Sequence, residues 1–274
     1  MKRPGKARLP RRARVAFQGE LGAFSQQAAR RIFGPHLQPL PCLAFEDVFR
    51  RLVRRKADFA VIPIENSLAG SIHQNFDLLA KHSLESIGET YVRIEHHLIA
   101  NPRARMADIR QVYSHPVALA QCRTFLGSLR AAEEVSFYDT AGSVKFIRDK
   151  HLSNAAAVAS ADAARMYGMK ILKRNIEDDR ENYTRFLALA RRGRVPHGGA
   201  KTSLVFSLRN EPGALFKALS VFALRDINLT KIESRPIRGR RWEYLFYVDL
   251  QSDIRSRQCV NALRHLQEMT AYFK

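Results

Sequence analysis

The sequence predicts an α/β protein of two facing lobes followed by a small α+β domain, and three observations carry that prediction. Strand-like apolar runs alternate with amphipathic helical stretches through the first part of the chain, the pattern of largely parallel sheets covered by helices on both faces. Within it, polar and small residues gather at two separate strand ends, around Glu65 and around Ser114, where ligands of open α/β sheets bind. After a linker-like stretch, Arg191 to Ala200, come a strand, a helix, a two-stranded hairpin and a last helix, a split βαβ order of the kind that pairs sheets edge to edge in dimers.

Taken in order, Arg14–Gln18 is a short strand, and Gly19-Glu-Leu-Gly22 is a loop leading to a helix through Phe33, with Ser25 placed as its cap. Such a loop is an anion site when its N–H groups point at a ligand, and otherwise a tight turn. From this segment alone the tight turn is favoured. Glu46 to Lys56 forms a helix with Val48, Phe49, Leu52 and Val53 on one face and charges that match the macrodipole. Asp58–Pro63 is a buried strand, followed by Glu65, Asn66 and Ser67 and a helix through Leu79. Strands follow at Glu95–Ala100 and Val112–Pro116, then a helix over Ala118–Leu126, a strand at Val135–Tyr138 and a helix capped by Asp139 or Thr140. Ala155–Ala159 is a small-residue strand, Ser160 caps the next helix, and Lys170–Leu172 leads towards Asn182–Ala190. In that last stretch the polar triplet Asn182, Thr184 and Arg185 opens a buried strand, so its polar mouth must meet solvent, a partner or a ligand. In the final domain, Gly213–Phe222 is a helix burying Leu215, Leu219 and Phe222.

Composition excludes several classes. The 274 residues are 46% hydrophobic and 26% charged, a globular balance without a membrane-length apolar run. Cys42, Cys122 and Cys259 are far apart and form no metal-ligand spacing. They read as reduced thiols in a cytoplasmic protein with no metal and no cofactor. The net charge of +20 owes much to Lys2, Arg3, Lys6, Arg8, Arg11, Arg12 and Arg14, all but the last in a disordered basic arm over residues 1–13. Nucleic acid is not the expected partner, because the remaining bases are scattered and no aromatic platforms accompany them. A small anionic substrate suits the charge.

Six stretches, in order, resemble the prephenate dehydratase family with its relatives the arogenate dehydratases. They are Phe17–Ser25, Pro63–Ser67, Ser114–Pro116, Thr184–Phe186, Gly213–Leu215 and Glu233–Pro236. The resemblance implies a two-lobed catalytic domain like a periplasmic binding protein over residues 14–191, with one lobe at about 14–94 and 173–191 and the other at about 95–172. It implies a linker over 192–200 and a ferredoxin-like regulatory ACT domain over 201–274, in a homodimer or homotetramer. The implied reaction removes water and carbon dioxide from prephenate, giving phenylpyruvate for phenylalanine biosynthesis.

Thr184 matches the family's catalytic threonine, and Ser25, Glu65, Asn66, Ser67, Ser114, His115 and Arg185 are the candidate substrate-binding residues. Beside a dianion, Glu65 must be protonated, paired with a base or structural. Phenylalanine is the implied inhibitor, held by Gly213, Ala214 and Leu215 against Glu233, Ser234, Arg235 and Pro236 of a neighbouring subunit. Ala23 and the pair Asn75-Phe76 depart from the bacterial pattern and recur in arogenate dehydratases, so arogenate is the alternative substrate; a non-enzymatic amino-acid sensor is the other alternative. The chain stops at Lys274, where relatives continue into a last ACT strand.

Overall fold

The computed structural model describes residues 12–192, 199–237 and 239–274. The expected basic arm as far as Arg11, residues 193–198 of the linker and Arg238 of the hairpin lie outside the described residues. Two compact units divide the rest, over 12–192 and 199–274.

The first unit contains two sheets. Its elements begin β1 (Arg14–Gln18), α1 (Phe24–Phe33), β2 (Gln38–Cys42), α2 (Phe45–Val53), β3 (Phe59–Asn66), β4 (Gly70–Ser71), α3 (His73–Lys81) and β5 (Leu84–Arg93). The chain then crosses to β6 (His97–Ala100), β7 (Gln111–Ser114), α4 (Pro116–Ala120), α5 (Arg123–Ser128), β8 (Glu133–Ser136), α6 (Thr140–Asp149), β9 (Ala155–Ala159), α7 (Ala161–Met166) and β10 (Lys170–Lys173). It returns through residues 174–182 to β11 (Tyr183–Arg191). One sheet has the order β2-β1-β3-β11-β5 with β4 beside β3, and the other has the order β10-β6-β9-β7-β8. Two sheets joined by two crossings make a two-lobed body, the plan of a periplasmic-binding-protein-like domain. The crossings brace one another: Ile94 N–H donates to the Asn182 carbonyl at 2.8 Å, and Ile176 N–H to the His96 carbonyl at 2.9 Å.

Neither sheet is all parallel. β1 runs parallel to β2 and β3, but β11 is antiparallel to β3 and β5. Likewise β7 is parallel to β8 and β9, while β6 is antiparallel to β9 and β10. β11 and β6 are the strands that follow a crossing from the other lobe, and such a strand need not take the direction that a helical crossover imposes on its neighbours.

Several elements differ from the sequence reading. β2 carries Pro39 and Pro41, which conceal it, and it is tolerated as an edge strand. Strand β3 runs on through Glu65 and Asn66 instead of stopping at Pro63. Helix α2 ends at Val53, which is exposed, so only Val48, Phe49 and Leu52 are buried. Ala13, assigned to the tail, is buried, and its carbonyl accepts Gln38 N–H at 2.9 Å. The helix expected over Ala118–Leu126 is broken at Gln121 and Cys122.

The second unit contains β12 (Thr202–Leu208), α8 (Ala214–Ala223), β13 (Leu229–Pro236), β14 (Tyr244–Leu250), α9 (Arg257–Met269) and β15 (Thr270–Phe273). Its sheet has the order β13-β14-β12-β15, the ferredoxin-like arrangement. Phe206, Val221, Phe222 and Leu266 are central to its core. Leu215, expected to be buried, is exposed, and Ala218 and Val221 take its place. The last ACT strand is present as β15, paired with β12 through Phe206 and Phe273.

Candidate active site

Thr184 opens β11 beside the end of β3, where its register partner is Asn66. Asn66 is the hub. Its Oδ1 accepts the N–H groups of Leu68 and Ala69 at 3.1 and 2.8 Å. Backbone N–H groups only donate, so this pins the amide's orientation and leaves Nδ2 to donate. It donates to Thr184 Oγ1 at 2.9 Å and to Asn182 Oδ1 at 2.7 Å. Asn182 Nδ2 must then donate onwards, and it does so to Gln121 Oε1 at 3.0 Å. That oxygen lies 3.1 Å from His96 Nε2, so this ring nitrogen carries the hydrogen. Burial holds the His96 imidazole down to about 4, opposed by the Gln121 bond and aided by His97, so it is neutral at pH 7.

Thr184 Oγ1 therefore receives a hydrogen bond, and its own hydrogen has no acceptor among the described residues. That hydroxyl is set to donate. Ser67 stands alongside: its Oγ donates to the Glu181 carbonyl at 2.8 Å and accepts Tyr183 N–H at 2.9 Å.

Arg185 is on the other side. Successive residues of a strand face opposite ways, and the Arg185 guanidinium pairs with Glu89, Nε to Oε2 at 2.8 Å. Glu65 is its register partner on β3, half-buried on the same face as this base. The structure thus separates Arg185 and Glu65 from the Thr184 hydroxyl.

Ser25 lies in the first turn of α1, not at its cap. The cap position is Ala23, which offers no side-chain bond, while Ser25 is a buried residue whose hydroxyl has no hydrogen-bond partner among the described residues. The preceding glycine loop is a turn held by the other lobe. Glu20 N–H donates to Asp139 Oδ2 at 3.1 Å, and Lys145 Nζ reaches both Glu20 carboxylate oxygens at 3.1 Å. Ser160 Oγ donates to the Gly22 carbonyl at 2.7 Å while capping α7.

Asp139 caps α6 through Gly142 N–H at 2.8 Å, and burial raises its carboxyl against the pull of its two backbone donors. His115 caps α4, its Nδ1 accepting Val117 N–H at 3.3 Å. Burial lowers its imidazole, with Asp139 opposing. Ser114 is buried and donates to the Val158 carbonyl at 2.6 Å, a structural bond.

Two sets of residues therefore join the lobes, one around Thr184 and one around the Glu20 loop. Sequence reasoning missed Gln121 and His96. Gln121 is a polar residue within an apolar helical run, and His96 is one of two adjacent histidines; neither spacing is a motif. Among the described residues no cluster of metal-ligand type occurs, and no helix is long and apolar enough to cross a membrane.

Comparison with known proteins agrees with this architecture. The prephenate dehydratase model matches residues 15–194, and the ACT domain model matches residues 202–265. The Arabidopsis thaliana protein arogenate dehydratase/prephenate dehydratase 2, chloroplastic, is 47% identical, over 96% of this chain and 71% of that protein. Among solved structures, prephenate dehydratase from Arthrobacter aurescens in complex with L-Phe is 30% identical with a TM-score of 0.87, covering 95% of this chain and 87% of that one. Another, GqqA, described as a novel type of quorum quenching acylase, is 36% identical with a TM-score of 0.85 and covers 95% of both chains. A prephenate dehydratase domain followed by an ACT domain defines a class of dehydratases of aromatic amino acid biosynthesis. The chain belongs to the prephenate dehydratase family.

Proposed function

We propose that this chain converts prephenate to phenylpyruvate, with Thr184 as donor to the departing hydroxyl, and that phenylalanine on the ACT domain inhibits it. Loss of the ring carboxylate as carbon dioxide sends its C–C bonding pair into the ring, the C–O pair departs with the hydroxyl oxygen, and aromatisation drives the step. The departing oxygen leaves with negative charge and takes up a proton to become water. A threonine hydroxyl is too weak an acid to give up its proton outright at pH 7, so Thr184 acts by hydrogen bonding to that charge.

The observation that carries this reading is the direction of one bond: Asn66 donates to Thr184 Oγ1, which turns the threonine hydrogen outwards. A preorganised donor of this kind contributes roughly 10²–10³ in rate. Thr184→Ala is expected to lose about that factor in kcat while keeping its far-UV circular dichroism; near-normal turnover in the folded variant overturns the assignment. Ser25, with the first-turn N–H groups of α1, and His115 are suited to orient the substrate carboxylates. Glu65 and Arg185 act by holding the sheet. Among the described residues, Ser67 and Ser114 spend their hydroxyls on the backbone carbonyls of Glu181 and Val158.

Arogenate is the second reading, supported by Ala23 and by the dual description of the Arabidopsis relative. Phenylpyruvate formation from prephenate, run beside phenylalanine formation from arogenate, distinguishes the two. Turnover of neither favours the sensor. Three unbridged cysteines suit a reducing compartment such as the cytoplasm, and β13, an edge strand, offers an unpaired side for a homodimer or homotetramer.

A further inference from the structure

A cleft of about 580 Å³ lies between the end of β2 and the last turns of α2, and none of its lining residues belongs to the Thr184 cluster or the glycine loop. Its size falls within the roughly 300–1,000 Å³ of small-molecule pockets. Arg50, Arg51, Arg54 and Lys56 line it, against one acid among the described residues, Asp47. Arg50 and Arg51 are four and three residues before Arg54, so the three guanidinium groups share one side of the helix. Arg55, at φ 59°, then turns the chain back, and Lys56 N–H donates to the Arg51 carbonyl at 2.9 Å.

Bases in the last turn of a helix ordinarily serve its macrodipole and its free carbonyls. Here those carbonyls are already taken. Arg54 N–H donates to the Arg50 carbonyl at 2.9 Å, Ala57 N–H joins Lys56 on that of Arg51 at 3.1 Å, and the Arg191 guanidinium reaches that of Leu52 at 2.9 Å. Asp47 engages Arg50 at 2.8 Å. The side chains of Arg51, Arg54 and Lys56 have no ion-pair or hydrogen-bond partner among the described residues. Like charges three and four residues apart repel, a cost that a bound anion removes.

We infer that this cleft binds a small molecule carrying a phosphate or pyrophosphate group, at a site separate from that of the dehydration. Guanidinium forks match the oxygens of a phosphoryl group, and Lys56 adds a point charge. Three unpaired cations within about two turns suit the charge density of pyrophosphate better than that of a carboxylate. On the β2 side, the Cys42 carbonyl accepts Gly19 N–H at 2.9 Å, so the cleft adjoins the glycine loop without including it.

Calorimetric titration of the full chain with inorganic pyrophosphate tests this, at about 0.15 M salt so that exposed charges are screened. Saturable binding is expected. The double variant Arg51→Gln, Arg54→Gln is expected to bind at least about tenfold more weakly, because two bidentate partners are gone, with kcat and KM for dehydration unchanged. The double variant Arg51→Lys, Arg54→Lys keeps the charge and loses the forks, and a loss of about threefold or more is expected. The basic residues before Arg12 are common to all three proteins, so a difference between them belongs to the cleft. Undiminished binding by either variant overturns the inference. A fall in kcat/KM of the Lys variant without pyrophosphate would put the cleft in the path of the substrate and overturn its separateness. Malonate, with two carboxylates, is expected to bind at least about tenfold more weakly than pyrophosphate; equal binding overturns the phosphate assignment. Should the Gln variant not fold, the Lys variant alone decides.

Discussion

Thr184 and Arg185 are adjacent in sequence and far apart in role. The strand alternation sends the hydroxyl to the Asn66 cluster and the guanidinium to Glu89, so a motif that reads as one unit splits into one hydroxyl held by an amide and one sheet brace. Sequence could show that both residues are polar and stand at a strand mouth. It could not show which one faces the chemistry, because that depends on pairing with β3 and β5. His96 makes a second point at this scale. Its imidazole is held down to about 4 from an ordinary 6.5, chiefly by burial. Between those values the unfolded chain binds a proton that the folded chain refuses, so stability is fully present above about pH 6.5 and falls as pH drops towards 4. The difference is worth about 3 kcal/mol by pH 4. Glu177, whose Oε2 accepts His96 N–H at 3.0 Å, and His97 are the charged or titratable neighbours. Thermal midpoints at pH 7 and pH 4.5 are therefore expected to fall further for the wild type than for His96→Asn, which keeps a donor and does not titrate. Parallel declines would show that His96 does not titrate in this window.

Among the elements, long apolar runs and capped helices were legible, and two edge strands of the first lobe were not. The strand Ala155–Ala159 and the cap Ser160 are where the sequence puts them, because a run of buried small residues followed by a cap leaves little choice. β2, with its two prolines, and β5, half polar along its length, are both edge strands, and an edge needs neither full burial nor every N–H. The break between α4 and α5 has no glycine or proline at Gln121 to announce it, and yet it places the amide that joins the lobes. The glycine loop allows a sharper prediction. Gly22 has φ +89°, and a Cβ there would lie 2.6 Å from the Ala163 Cα and 2.9 Å from its nitrogen. Both are backbone atoms of α7, so Gly22→Ala cannot be relieved by a rotamer change. Backbone strain alone costs about 1 kcal/mol or more, and the loop must also draw away from the second lobe. A fall of several degrees in thermal midpoint is expected, with lower kcat as Ser25 moves with the loop. A variant as stable and active as the wild type would show that the lobes do not need this close approach.

At the scale of the whole molecule, catalysis and control are carried by separate compact units, which makes the regulatory motifs testable without touching Thr184. Gly213 precedes α8 with φ +76°, in the left-handed region, so Gly213→Val strains the helix start and mixes folding with regulation. Ser234 is the better probe. It lies on β13, where alternate residues are exposed, and its side chain is among the exposed ones. Ser234→Ala therefore removes a hydroxyl without opening a cavity, and its effect on stability should be within about 0.5 kcal/mol. If phenylalanine is recognised there and favours a less active state, inhibition follows its differential affinity for the two states, typically about 1–3 kcal/mol or some five- to 150-fold. Dehydratase rates measured against phenylalanine concentration should show Ser234→Ala turning over at the wild-type rate without effector and requiring more phenylalanine for half-inhibition. By reciprocity, substrate should weaken phenylalanine binding by the same factor that phenylalanine weakens substrate binding. Calorimetric titration of phenylalanine with and without a saturating unreactive substrate analogue reads that factor directly. Equal phenylalanine affinity in both titrations, together with unchanged inhibition of Ser234→Ala, would remove the β13 motif from the control of this enzyme.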